Sequence, residues 1–366
     1  MAFNLALKSK SAEASVSLPY YSMVRFLDIA GHIVPRKTSI RILQGVRISF
    51  KGNSCIVRAS DSYNFVDMTL SNVSGHGEIN LVVEYAPLKE LLGKITSSGM
   101  LLIEREGNIL TFKCNATVCG KLTGTDGMEF PSLHIPPSSL ERKISLSKFE
   151  VGYVRKYVST WCVDDKEYTA LDSVLVEADK DSCGFVATDR HTLVFTKYVE
   201  NPEKRYAIPA VAFKTMHSLG MDSTLSFYKS HYRFESDIYS VYGRLHGGKY
   251  PDFHVLKFHG DFSHEYSVDV GIIRNELKRL LAGANLNNRE FYPVVLQYGP
   301  TTLEVVEYTD DYTFNNSCIK VDAIRLLKVL ERFDNNSCVK FKSSDSLNRP
   351  MVWSDSLAIS LLMAML

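Results

Sequence analysis

Asp189 and His191, in the run Ala187-Thr188-Asp189-Arg190-His191, are the pair in this chain that could do acid–base chemistry. Two residues apart on an extended strand, a carboxylate and an imidazole point the same way and could share a substrate proton. A hydrolase or lyase built on them is therefore one reading. No nucleophile accompanies the pair, and the chain contains no G-x-S-x-G, H-E-x-x-H or G-x-x-x-x-G-K-[ST] segment. The ten histidines are scattered; His246, His254, His259 and His264 do not have ligand spacing, so no metal and no cofactor is expected. The same phrase also recurs as Ala59-Ser60-Asp61 and Tyr308-Thr309-Asp310, at intervals of 128 and 121 residues, each time between two runs of β-formers. An aspartate present in every third of a chain reads as a carboxylate that caps a turn.

A second phrase repeats at a similar distance. Gly120-Lys121-Leu122 with Phe130-Pro131-Ser132-Leu133-His134-Ile135 returns as Gly243-Arg244-Leu245 with Tyr250-Pro251-Asp252-Phe253-His254-Val255. Matching phrases in matching order predict three copies of one domain, at residues 1–138, 139–260 and 261–366. Each would have about 120 residues, an ordinary domain size. Each third holds two amphipathic helix candidates, over residues 19–34 and 85–95, 147–161 and 209–219, 272–284 and 321–333. Strand-like alternation marks residues 41–50, 101–105, 173–177, 239–243 and 302–306. The fold class expected is α+β, three tandem copies of two helices packed on one face of antiparallel sheets.

The bulk figures leave the function open. Net charge is +1 over 366 residues, so any affinity for nucleic acid needs charge gathered on one surface. Seven cysteines without a C-x-x-C pair read as packed thiols in a reducing, cytoplasmic setting. The first residues alternate like a strand and do not read as a signal peptide. The apolar run of residues 357–366 is too short to span a bilayer and reads as a final buried strand.

The helix candidates carry the charge asymmetry. Their cations are Arg25, Lys89, Lys94, Lys148, Arg155, Lys156, Lys214, Arg274, Lys278, Arg279, Lys320, Arg325, Lys328 and Arg332, with fewer acids between them. An ordinary solvated face and a surface for phosphates both fit that pattern. A repeat-built scaffold without any role on DNA is a further alternative.

Four segments, Gly184–Leu193, Gly247–Leu256, Arg36–Leu43 and Phe130–Leu133, together resemble the bacterial DNA polymerase III β subunits, the sliding clamps. Gly184-Phe-Val-Ala-Thr-Asp-Arg-His-Thr-Leu193 is similar to the family's V-A-T-D-G-H-R-L. Gly247-Gly-Lys-Tyr-Pro-Asp-Phe-His-Val-Leu256 is similar to G-x-[FY]-P-D-Y-x-x-[VL]. Arg36-Lys-Thr-Ser-Ile-Arg-Ile-Leu43 and Phe130-Pro-Ser-Leu133 resemble two earlier family segments in the same order. Arg190 stands where the family usually has Gly, Thr192 where it has Arg, and the chain ends Leu362-Met-Ala-Met-Leu366.

The resemblance implies a head-to-tail homodimer closed into a ring around duplex DNA, with no bond chemistry of its own. The helices, together with Arg36, would line the hole. It implies a dimer joint between the strand of residues 116–122, including Val118, and the region of residues 284–296, with Leu286 as an apolar contact there. It implies a groove that takes a short linear peptide from polymerase or clamp-loader subunits. Leu171, Thr188, His191, Leu193, Pro251, Val255, Leu256, Leu362, Met363 and Leu366 would form that groove. No membrane partner is implied.

Overall fold

The computed structural model describes residues 12–95, 99–115, 117–165, 167–180, 182–256, 262–283, 291–309, 311–314, 318–344, 351–355 and 359–363. Six α-helices are described: α1 Tyr20–Ala30, α2 Tyr85–Gly93, α3 Lys148–Tyr153, α4 Ala210–Leu219, α5 Val270–Gly283 and α6 Ala323–Leu330. Each follows directly, or one residue later, on a strand. The sequence rhythm of two helices per third is thus realised as six strand–helix steps. Helices and antiparallel sheets together confirm the α+β class.

The chain divides into two compact units. The first comprises residues 1–151 and 211–245, the second residues 152–210 and 246–366. The first holds a nine-stranded antiparallel sheet. Its order is Thr125–Asp126, Glu78–Glu84, Gly45–Lys51, Ser54–Ser60, Asn64–Leu70, Tyr239–Arg244, His231–Glu235, Ser223–Tyr228, Leu140–Leu146. Its central seam pairs Tyr239 with Met68 and Gly243 with Asn64. Sequence alternation sends Val46, Ile48 and Phe50 inward from one strand and Cys55, Val57 and Ala59 from the next. Burial pushes the Cys55 thiol up to about 12, so it stays protonated and packs as a small apolar group. A five-stranded sheet completes this unit, with Thr117–Thr123 at one edge.

The second unit holds an eight-stranded antiparallel sheet. Its order is Lys204–Pro209, Ser173–Ala178, Cys183–Thr188, Thr192–Phe195, Ile359–Leu362, Met351–Ser354, Cys338–Ser343, His264–Asp269. Pro293–Tyr298 pairs with Leu303–Glu307 and Cys318–Asp322 in a separate three-stranded sheet. The final strand Ile359–Leu362 is buried over its last three residues, as the apolar C-terminal run predicts.

Three local expectations are corrected. Residues 41–50 are not one strand: Arg41–Gln44 form a tight 3-10 turn, and the strand starts at Gly45, where any Cβ would strike the Val82 side chain. Residues 147–161 are not one regular helix. After α3 the backbone widens into a π turn over Val154–Val158, then tightens over Ser159–Trp161. Ser159 and Thr160 hydroxyls donate back to the carbonyls of Arg155 (2.8 Å) and Lys156 (3.2 Å), a habit that bends helices. Finally, the spacing of Ile324, Leu327, Leu330 and Phe333 predicts the inward face of α6, but the helix buries Ala323, Leu326, Val329 and Leu330, with Ile324 and Leu327 only half-buried. Six of its eight residues are apolar, so periodicity alone does not choose the face.

Candidate functional site

The repeated aspartates are turn caps. Asp189 Oδ1 accepts from the backbone N–H groups of His191 (3.1 Å) and Thr192 (2.7 Å). Asp61 Oδ1 does the same for Tyr63 (2.8 Å) and Asn64 (2.6 Å). In both turns the next residue is left-handed, Arg190 at φ 75° and Ser62 at φ 83°, and the preceding hydroxyl accepts its N–H. A glycine is the natural occupant of such a position. Asp310 lies outside the described residues.

The strand pairing of Asp189 and His191 expected for an acid–base couple is not found, because both sit on the turn between Cys183–Thr188 and Thr192–Phe195. The second Asp189 oxygen faces Arg325 Nε at 3.3 Å. The carboxylate is therefore committed to structure on both oxygens. Among the described residues no group of three or more His, Cys, Asp or Glu could hold a metal ion. No helix among them is long and apolar enough to cross a membrane.

This turn is one wall of a groove with a cavity of about 250 Å³ in the second unit. The last strand forms a second wall. Thr192 pairs with Leu362, and the Met363 N–H donates to the His191 carbonyl at 3.0 Å, so the chain end is tied to the turn. The third wall is the 3-10 turn Phe253–Val255, capped by Asp252 Oδ1, which accepts from the His254 N–H at 3.3 Å. Phe253 sinks into the core with Leu193 and Leu361. His254 goes the other way, and its Nε2 lies 2.8 Å from Glu177 Oε1, which Arg205 also meets at 3.0 Å.

At the rim, Arg190 spans Asp165 (3.4 Å) and Glu167 (3.2 Å) and lies over the Tyr168 ring. Asp165 Oδ1 also accepts from the Glu167 and Tyr168 N–H groups, both at 2.9 Å. Its carboxyl is held below the usual range, first by the Tyr168 N–H and then by Glu167 and Arg190. Arg190 thus presents a neutralised guanidinium.

Of the ten groove residues expected, Thr188, His191, Leu193, Pro251, Leu256 and Met363 line the cavity. Leu171 does not: it is fully buried in the core beneath. Leu362 does not line it either, because strand alternation turns Leu361 to the groove and Leu362 away. Val255 is 69% exposed and lies off the lining, and Leu366 falls outside the described residues. Tyr168, Asp252, Phe253 and Leu361 line the groove without having been expected. The Asp165 turn that lifts Tyr168 to the rim lies far from the groove in sequence and carries no motif; Phe253 and Asp252 were legible inside the Tyr250–Val255 phrase.

The expected DNA-facing cations separate into two groups. Lys148, Lys156, Lys214 and Lys278 are exposed on helical segments and have no acidic partner among the described residues. Arg36 is exposed in the loop after α1. Most of the others are engaged. Lys89 meets Asp28 at 3.2 Å, Lys94 meets Glu90 at 2.6 Å, and Arg279 meets Glu276 at 2.5 Å. Arg25 donates to the Leu219 carbonyl at 2.5 Å. Arg325 bridges Asp189 and Asp322. Arg155 and Arg274 are half-buried.

Two of these expectations fail outright. Arg332 is 5% exposed and donates to the Ile359 carbonyl and the Ser360 hydroxyl, so it serves the core. Lys320 lies on the strand Cys318–Asp322, not on a helix, with its Nζ over the Tyr308 ring. For the joint, Val118 is 51% exposed on the edge strand Thr117–Thr123. Leu286 lies outside the described residues.

No protein-family model matches this sequence, and no curated protein matches it. Solved structures do match, over nearly the whole chain. The DNA polymerase sliding clamp of Bacillus subtilis superposes with a TM-score of 0.84 at 16% identity, covering 97% of this chain and 100% of that one. The DNA polymerase III β subunit of Thermotoga maritima gives 0.83 at 17% identity, covering 96% and 99%. A Pseudomonas aeruginosa sliding clamp, solved bound to griselimycin, gives 0.81 at 17% identity, covering 97% and 100%. The chain has the sliding-clamp fold.

Proposed function

We propose that this chain, which has the fold of the sliding clamps, is itself a DNA sliding clamp in the cytoplasm. Two copies join head to tail into a closed ring around duplex DNA. Each contributes three domains, at residues 1–138, 139–260 and 261–366. A heterologous contact that closes on itself gives a ring. The ring does no bond chemistry; it tethers a polymerase to its template and so raises the effective concentration of the one at the other. An ATP-driven loader opens it.

The observation that carries this reading is the superposition on sliding clamps from end to end, at TM-scores of 0.81 and above. The unpaired lysines Lys148, Lys156, Lys214 and Lys278 support it, because mobile side chains facing phosphates bind without reading bases. The groove walled by His191, Phe253 and Met363 suits short apolar anchors of a partner peptide. Arg190, already paired, would not receive an acidic peptide side chain.

The test is retention on DNA. With loader and ATP, the protein should stay on nicked circles and slide off once they are linearised. Equal retention on both forms would overturn the reading. A closed particle of twice 41.2 kDa with a central hole is the matching physical observation.

A further inference from the structure

A second cavity of the same unit, about 360 Å³, is basic rather than apolar. It lies between the π and 3-10 turns of residues 154–161, α5 and α6. Lys156, Arg274, Lys328 and Arg332 line it, with Glu331 as the lining acid. Asp355 also acts on Arg332. Asp189 and Arg325 also act on Lys328 and offset one another, so four cations face two carboxylates and about two positive charges stay uncompensated.

The donors are unfilled as well. Arg274 Nε is buried without an acceptor among the described residues, and the buried Arg332 guanidinium has beside it only the neutral Tyr153 hydroxyl and the Asp355 carboxylate. Arg332 spends its other nitrogens on the Ile359 and Phe195 carbonyls and the Ser360 hydroxyl, all neutral. Lys328 donates to the Thr160 carbonyl at 2.7 Å and lies over the Trp161 ring, with no carboxylate in hydrogen-bond contact among the described residues. Burial lowers its pKa, with Arg325 adding to the effect against several nearby anionic groups. Buried cationic N–H groups without acceptors are costly, and guanidinium forks match phosphoryl oxygens in shape.

We propose that this cavity is a binding site for a phosphate dianion, held by Arg274, Arg332 and Lys328. The uncompensated charge matches a dianion better than the single charge of a phosphodiester. Such a group has two sources, free inorganic phosphate or the terminal phosphomonoester of a nucleic-acid strand. The site shares only Lys156 with the sliding contacts proposed above, and the free-phosphate arm of its test does not depend on them.

The full-length protein is titrated with inorganic phosphate by calorimetry at pH 8, where the dianion dominates, and at pH 5.5. In parallel, short duplexes with a 5′-phosphate or a 5′-hydroxyl are compared by anisotropy. Saturable phosphate binding, stronger at pH 8, and weakened about tenfold or more by Arg274→Gln supports the free ion as ligand. A preference of about tenfold for the 5′-phosphate duplex, lost in Arg274→Gln, supports the strand end. Lys51→Gln, at a lysine that pairs with Glu78 at 2.7 Å and does not line the cavity, should change neither. Native circular dichroism and an unchanged unfolding midpoint establish that Arg274→Gln is folded. Absence of both signals in the wild type, or equal binding by wild type and Arg274→Gln, overturns the proposal. Failure to be retained on circular DNA would overturn the clamp reading and leave the phosphate arm intact.

Discussion

At the scale of single residues, the Asp-turn is where sequence and structure meet most directly. A carboxylate repeated at third-chain intervals read as a cap, and Asp61 and Asp189 both satisfy two backbone N–H groups. Asp189→Ala should remove both bonds and the Arg325 contact, costing about 2–3 kcal/mol in urea unfolding. A loss under 0.5 kcal/mol would show that the turn holds itself. Arg190 was legible as an oddity but not as a left-handed residue, because φ depends on the hydroxyl of Thr188 and on Asp165 at the rim. The Asp165 carboxyl, lowered in the folded state, contributes stability above the ordinary carboxylate range. That contribution fades as pH falls through the lowered folded-state value. Acid titration followed by NMR should therefore show Tyr168 and Arg190 released from the rim before the sheets unfold. Loss of all signals together would contradict this.

Among the elements, the helices show how far patterning reaches. Strong amphipathic periods located all six, but α3 could not be drawn to its end because serine and threonine back-bonding reshapes it. Charge counting gave a basic set without distinguishing the spent cations from the unpaired ones, since partners such as Asp28 for Lys89 come from other helices. Replacing Lys148, Lys156, Lys214 and Lys278 together by Gln should weaken duplex binding and lower the salt slope by about 3–4, at roughly 0.9 per phosphate contact. The same change at Lys94 and Arg279, each tied to a glutamate, should have much less effect. Equal slopes in the two sets would refute the division. Helix α6 hangs on Asp322, 2% exposed, whose Oδ1 accepts from the Ile324 and Tyr292 N–H groups, both at 3.1 Å. Its Oδ2 meets Arg325 at 3.0 Å. Asp322→Ala should cost about 2–4 kcal/mol, and Asp322→Asn clearly less, because the amide oxygen still caps. Identical losses in chemical denaturation would mean that charge alone matters.

For the whole molecule, the joint and the chain end give the sharpest tests. Val118→Asp, on an exposed edge strand, should turn dimers into monomers in light scattering; an unchanged dimer would move the joint elsewhere. Deleting residues 363–366 should remove peptide binding while leaving the dimer, since Met363 closes the groove against His191. Retained peptide affinity would place the site away from this groove. The threefold repeat was plain in the sequence, whereas the partition into two compact units was not, because it depends on strand pairs such as Asn64–Leu70 with Tyr239–Arg244. That partition has a consequence for the chain as it leaves the ribosome. The strand Asn64–Leu70 must wait for a mate that begins 169 residues after its last residue. At synthesis rates of roughly 5–20 residues per second, that interval is of the order of 10–30 s. During it the half-built sheet presents an open edge whose unpaired N–H and C=O groups invite a neighbouring nascent chain on the same message. A ribosome-stalled fragment ending before residue 211 should therefore aggregate or recruit a holdase, and the addition of residues 211–245 should relieve it. Slow codons placed between residues 152 and 210 would then lower the soluble yield of this protein without changing a single amino acid.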